Sequence, residues 1–239
     1  MLLNNYYSRS LDLIRFSREQ ASAFAKEVAN DFNPLHNADA KMFCVPGDLL
    51  FAVALNHFGL SQRMKFTFSG MVGDHPVVFP RTEAPRIDIL DETGKCYLTI
   101  ERSGDTTRKQ TLINALAKDY VTFSGMAFPN ILVPLMREQG VMINPSRPLI
   151  LYQCMEIDLE CLELAAPNLK SAGASLKVEG KKGSARLDFR FMDGDRCIGH
   201  GTKRMGLRGL QPYEARSMQL LVEEYHGYRE AYRPGLSPE

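Results

Sequence analysis

From Leu49 to Phe58 the chain is apolar almost all the way round a helix, and only Asn56 and His57 interrupt it. A helix on a protein surface shows a polar stripe, so one that lacks it has to be enclosed by other elements. The run is also too short to cross a bilayer. Val45-Pro46-Gly47-Asp48 leads into it and Gly59 supplies the C-terminal stop. The stretches that follow read as the enclosing strands: Phe66-Thr67-Phe68, Val77-Val78-Phe79, Arg86 to Leu90 and Cys96 to Ile100. Turn signals such as Asp91-Glu92-Thr93-Gly94 separate them.

Residues 6–16 contain alternating apolar positions and predict a first strand. Ser17 and Gln20 form a capping-box pattern that opens a short helix, with Ala21, Phe24, Ala25 and Val28 on one face. Residues 106–120 return to helical spacing, and Ser124-Gly125 is a candidate boundary. The second half repeats this order of elements. An apolar run in 126–140, bent by Pro134, precedes strands over 149–159, 172–179, 184–192 and 196–207. Asp193-Gly194 reads as the hairpin turn between the last two. Pro212 opens a last helix with Met218, Leu221, Tyr225 and Tyr228 facing one way, a face that covers the sheet or, as the alternative, meets a partner.

The first short helix delivers the chain to Asp31-Phe32-Asn33-Pro34-Leu35-His36. Pro34 fixes its own φ and pushes Asn33 into an extended conformation, so no helix runs through the segment. A carboxylate, a carboxamide and an imidazole are therefore presented from a loop, where chemistry usually sits. An acid and an imidazole close together can share the work of moving a proton on or off water. The plainer reading is a turn in which Asp31 caps backbone amides while His36 packs beside it.

Asp31-x-Asn33-Pro34-Leu35-His36 resembles the signature of the MaoC-like dehydratases, a family that includes the (R)-specific enoyl-CoA hydratases. The chain as a whole is similar to a bacterial family of unknown function. The resemblance implies a hotdog fold, and the repeated order of elements extends this to an α+β double hotdog, with two antiparallel sheets each wrapped around a central apolar helix. Its N-terminal unit would span 1–125 and carry the motif, and a second unit without the motif would span 126–239 and end in a helix. By the same resemblance, Asp31 and His36 hold the water and exchange protons, Asn33 orients them, and backbone amides near Gly47 meet the thioester oxygen. Asp48 is expected to turn back and cap the helix, since a carboxylate facing that oxygen would oppose the reaction. Two departures stand out. Ala29-Asn30 precedes Asp31 where the family has Ser-Gly, which removes backbone freedom, and the stretch from His36 to Gly47 is short.

The function expected is a cytoplasmic hydratase/dehydratase, an enoyl-CoA hydratase-like lyase acting on a CoA or acyl carrier protein thioester without cofactor or metal. The alternatives are a non-catalytic acyl-ligand or interaction protein and an acyl thioesterase. A net charge of +1 gives no reason to expect nucleic acid or membrane binding. Five irregularly spaced cysteines, with no Cys-x-x-Cys, argue against a disulfide framework or zinc site and favour a reducing compartment. The N-terminus lacks the basic and long apolar regions of a signal peptide. His57 reads as a core residue, His75 as a turn residue, and His200 has no acid at motif spacing. Ten basic residues against four acids lie between 170 and 210. Lys181, Lys182 and Arg186 among them are candidates for docking CoA phosphates or an acidic carrier, against the plainer reading of a solvated strand face. Either a monomer or a homodimer fits two such units.

Overall fold

The computed structural model describes residues 3–163 and 166–234; Met1 and Leu2, where a leader was sought, lie outside them. Residues 6–16 form a hairpin rather than one strand. Strands β1 (Ser8–Ser10) and β2 (Leu13–Arg15) pair antiparallel, and Leu11 reverses the chain at φ +56. Helix α1 (Arg18–Ala23) starts at Ser17 with the capping box in place, because Ser17 and Gln20 each accept a backbone N–H from the other. One wider turn, Phe24–Val28, extends it to the motif loop.

Helix α2 (Gly47–Phe58) is enclosed as its sequence demands, with every residue from Asp48 to Leu55 buried. Gly59 ends it at φ +85, where a side chain would be strained. Phe51 at its centre meets Phe66 at 4.9 Å and Tyr120 at 4.8 Å, both edge-on. Around it run β3 (Leu60–Phe68), β4 (Val77–Val78), β5 (Arg86–Leu90) and β6 (Cys96–Thr107). Helix α3 (Gln110–Gly125) begins after Thr106 and Thr107, which the helical spacing had included; both pair with β3 instead. Ser124 and Gly125 form its last turn. A wide turn at Phe128–Leu132 and helix α4 (Val133–Glu138) follow, with Pro134 in α4's first turn, where its missing N–H costs nothing.

The second half contributes β7 (Val141–Met142), β8 (Leu149–Leu159), β9 (Asn168–Glu179), β10 (Lys182–Asp193), β11 (Arg196–Arg208) and β12 (Gln211–Pro212). Asp193 pairs with Arg196, so Gly194, at φ +59, and Asp195 make the two-residue turn. Pro212 lies in β12 against Val141, and helix α5 (Ala215–Ala231) begins only after Glu214 caps the amides of Arg216 and Ser217.

The protein is mixed α+β with a large antiparallel sheet. Ten strands form one sheet in the order β1-β2-β4-β5-β6-β3-β8-β11-β10-β9, where two sheets were expected. The junction is β3 against β8, from Arg63–Asp158 to Thr67–Cys154, which gives each half's open edge a partner.

Gly125 shows how tightly α3 abuts the motif loop. A Cβ there would lie 2.0 Å from the Ala29 carbonyl oxygen. Gly125→Ala is expected to cost about 3 kcal/mol, because backbone must move. Gly227→Ala, with nothing near its Cβ on exposed α5, should instead add about 0.5–1 kcal/mol. Urea denaturation of the two variants checks both signs.

Candidate functional site

The motif loop is built as its sequence directs. Asn33 is extended (φ −61, ψ 123) and Pro34–His36 make a single 3-10 turn. Asn30 takes the position where the resembled family has Gly, and it does so at φ +55, a conformation Asn tolerates better than other side chains. The departure at Ala29-Asn30 therefore leaves the turn intact. Asp31 Oδ1 accepts the Asn33 N–H at 2.9 Å, and Asn33 Oδ1 accepts the Leu35 N–H at 3.1 Å. Asn33 thus spends its oxygen on capping the turn.

The other Asp31 oxygen lies 3.6 Å from His36 Nε2. His36 Nδ1 lies 2.9 Å from the Cys44 carbonyl oxygen and 3.8 Å from Cys44 Sγ. Burial alone would depress the imidazole. The Cys44 side chain and the Asp31 carboxylate outweigh it and bring the pKa up from 6.5 to about 9. His36 is consequently an imidazolium at neutral pH.

A second polar group stands at the entry to α2. Asp48 does not cap the helix; Pro46 is the N-cap residue and no side chain bonds there. The carboxylate turns inward, where its Oδ2 accepts from Ser124 Oγ at 2.5 Å. Lys203 Nζ donates to the same Ser124 hydroxyl and lies 3.8 Å from Asp48 Oδ1. A buried cation and a hydroxyl outcompete the helix amides for this acid. Desolvation pushes the Asp48 pKa up, opposed by Lys203 and Ser124. Asp48 is 6% exposed, and its Oδ1 has no hydrogen-bond partner. Tyr152 closes the cluster. Its ring lies under Lys203 Nζ at 4.1 Å, its hydroxyl bonds that of Tyr120, and Gly47 has no Cβ because one would meet the ring at 2.5 Å. Burial holds both phenols far above their ordinary pKa, so they stay neutral.

These groups open on one cavity of about 660 Å³. Asp31, Asn33, His36, Cys44, Gly47, Asp48, Ser124 and Lys203 line it, together with the apolar Leu50, Phe128, Leu132, Ile143, Ile150 and Leu221 and the polar Gln153 and Glu224. Lys181, Lys182 and Arg186 lie at the β9–β10 turn and on β10 and do not line it; Arg186 is engaged with Asp188 at 2.9 Å. Among the described residues no group of three His, Cys, Asp or Glu could hold a metal, and no helix is long and apolar enough to cross a membrane.

Sequence reasoning missed Lys203, Ser124, Cys44 and Tyr152. Lys203 counted as one of the surface basic residues, yet it pairs with the fully buried Met155 and Leu187 and so points into the core. Its phase with Met205 and Leu207 was a usable signal. Ser124 follows buried Tyr120 by four positions on the same face of α3. Nothing in the spacing brings Cys44 or Tyr152 to the site.

Helix α5 does more than cover the sheet. Met218 joins the core of the second half, while the Tyr225 hydroxyl reaches the Gly125 and Asn30 carbonyls at 3.1 and 3.3 Å and accepts the Phe32 N–H at 3.3 Å. Tyr225→Phe is expected to cost about 1–3 kcal/mol by stranding these backbone groups, read as a lower urea midpoint at unchanged m-value.

The chain is similar in fold to solved structures of low identity. One is titled an acyl-CoA thioesterase II from Mycobacterium marinum, at 10% identity and TM-score 0.44, covering 90% of this chain and 100% of that one. Another is a conserved protein of unknown function with hot dog fold from Alicyclobacillus acidocaldarius, at 11% and 0.45, covering 89% and 99%. A third is a tesB protein from Mycobacterium avium subspecies paratuberculosis, at 10% and 0.42, covering 70% and 89%. No curated protein matches the sequence. The hydratase/dehydratase expectation is corrected: the similar solved structures that carry an activity in their titles are titled thioesterases. What a family model does match is residues 1–216, and the chain belongs to that family, described as Protein of unknown function (DUF3581).

Proposed function

We propose that the cavity hydrolyses an acyl thioester. The observation that carries this reading is Oδ1 of buried Asp48, which accepts no hydrogen bond and stands 3.8 Å from the Lys203 cation, in a cavity whose lining is mostly apolar. A water donated to that oxygen is placed for attack on a carbonyl carbon. Asp48 takes the water's proton as the oxygen–carbon bond forms. The amides of Gly47 and Asp48, in the first turn of α2 where backbone donors have no helical acceptor, face the developing oxyanion together with the Lys203 cation. The carbon–sulfur bond breaks, and His36 supplies a proton to the departing thiolate. Asp31 holds the imidazolium for this purpose, while Asn33 shapes the turn that presents both.

The apolar walls suit an acyl chain, and the carrier is CoA or an acyl carrier protein. This reading does not use Lys181, Lys182 or Arg186. In fold it corresponds to a double hotdog, with units over 1–125 and 126–239 whose strands join edge to edge. Support comes from the enclosure of α2 by the first half's strands and from the β3–β8 junction. The test is release of free thiol from acyl-CoA esters of short, medium and long chain, followed with a thiol reagent. Turnover of at least one chain length is expected, and none at any length would end the proposal.

A further inference from the structure

Cys44 has no part in the direct attack just described, yet its surroundings are those of a nucleophile. It lines the cavity, and its sulfur lies 3.8 Å from His36 Nδ1 while Asp31 stands 3.6 Å from Nε2 on the far side of the ring. A thiol, an imidazole and a carboxylate in that order form the relay by which nucleophilic enzymes activate sulfur. The Cys44 carbonyl, 2.9 Å from Nδ1, accepts the N–H there, so the ring stands as an imidazolium between the sulfur and the Asp31 carboxylate. Asp48 lines the same cavity, and its Oδ1, which accepts no hydrogen bond, is free to hold a water for whatever Cys44 carries. The other four cysteines are free as well, but none of them lines this cavity.

We propose that Cys44 is the acyl acceptor, so that the thioester is cleaved through an S-acyl-cysteine formed at the mouth of α2. This rests on the reading that the cavity takes an acyl thioester. In the first step Cys44 sheds its proton to solvent beside the His36 imidazolium, and Sγ, as the thiolate, bonds to the substrate carbonyl carbon. The carbon–sulfur bond to the carrier then breaks, and the leaving sulfur takes the proton from His36. In the second step a water gives one proton to Asp48 and its oxygen bonds to the acyl carbon. The carbon–Sγ bond breaks, a carboxylic acid leaves, and the proton on Asp48 together with one from solvent restores His36 and Cys44. No oxidant or co-reactant is needed. The arrangement also permits a second thiol to replace the water, which would make the site an acyl transferase between thiols.

The test uses the full chain and a butyryl-CoA probe, with acid quenching and intact-mass measurement. Asp48→Asn, in which the second step is slowed, is expected to gain one butyryl group that maps to Cys44 and is removed by neutral hydroxylamine. It should release one equivalent of thiol in a burst before a slow phase. Cys44→Ala is expected to lack the adduct and to lose thiol release on the order of 1,000-fold. If wild type turns over while Cys44→Ala keeps its rate and Asp48→Asn carries no adduct, the acyl-cysteine is overturned and hydrolysis by direct attack stands. An adduct on Cys44 without turnover upholds the acceptor and removes hydrolysis. An adduct on other cysteines, or none with no thiol released, overturns the inference.

Discussion

Asp48→Asn is expected to slow steady-state thiol release by about 1,000-fold, the scale on which a positioned general base contributes. The substitution keeps an oxygen for Ser124 and the volume of the side chain, but it removes the group that accepts the water's proton. It also leaves Lys203 buried without a counter-ion, since Nζ lies 3.8 Å from Asp48 Oδ1 and both side chains are under one-tenth exposed. Stranding one member of a buried pair costs about 3 kcal/mol. Adding Lys203→Met to Asp48→Asn removes the stranded charge and should return most of that loss, because two uncharged side chains carry no desolvation penalty. A double variant with near-native stability and no turnover separates the chemical role of Asp48 from its structural one. Turnover within about threefold of wild type in Asp48→Asn would remove the carboxylate from the mechanism.

Raising the pH through the His36 titration is expected to destabilise the fold by about 3 kcal/mol, because the imidazole pKa is about 9 here against 6.5 in an unfolded chain. Since the folded protein holds this proton more tightly, the contribution is fully present below pH 6.5 and is lost as pH rises through about 9. The cause is local: the Cys44 side chain and the Asp31 carboxylate favour the charged ring more than its burial disfavours it. His36→Gln should show no such loss over that interval, measured by urea denaturation at pH values on both sides of it. Thiol release should fall over the upper part of the same range, as the proton donor to the leaving sulfur is lost. A wild-type stability that stays level from pH 6.5 to 9 would mean that His36 is neutral in the folded protein.

Local rules carried the sequence reading a long way. An apolar helix without a polar stripe had to be enclosed, Ser17 and Gln20 had to cap, and Pro34 had to make the motif a turn; each is decided within a few residues. The places where it failed are those where a neighbour in space outbid a neighbour in sequence. Thr106 and Thr107 have helical spacing but pair with β3, and Pro212 looked like a helix start until β7 claimed it. Asp48 looked like a cap until Ser124 and Lys203, more than seventy residues away, drew its carboxylate inward. The sequence by itself determined that an acid, an amide and an imidazole share a proline-locked loop beside the entry of a buried helix. Only the tertiary structure decided their charge states and their partners, because desolvation and Coulomb energy depend on what is packed against a group, and that is set by strand phase and helix register across the whole sheet.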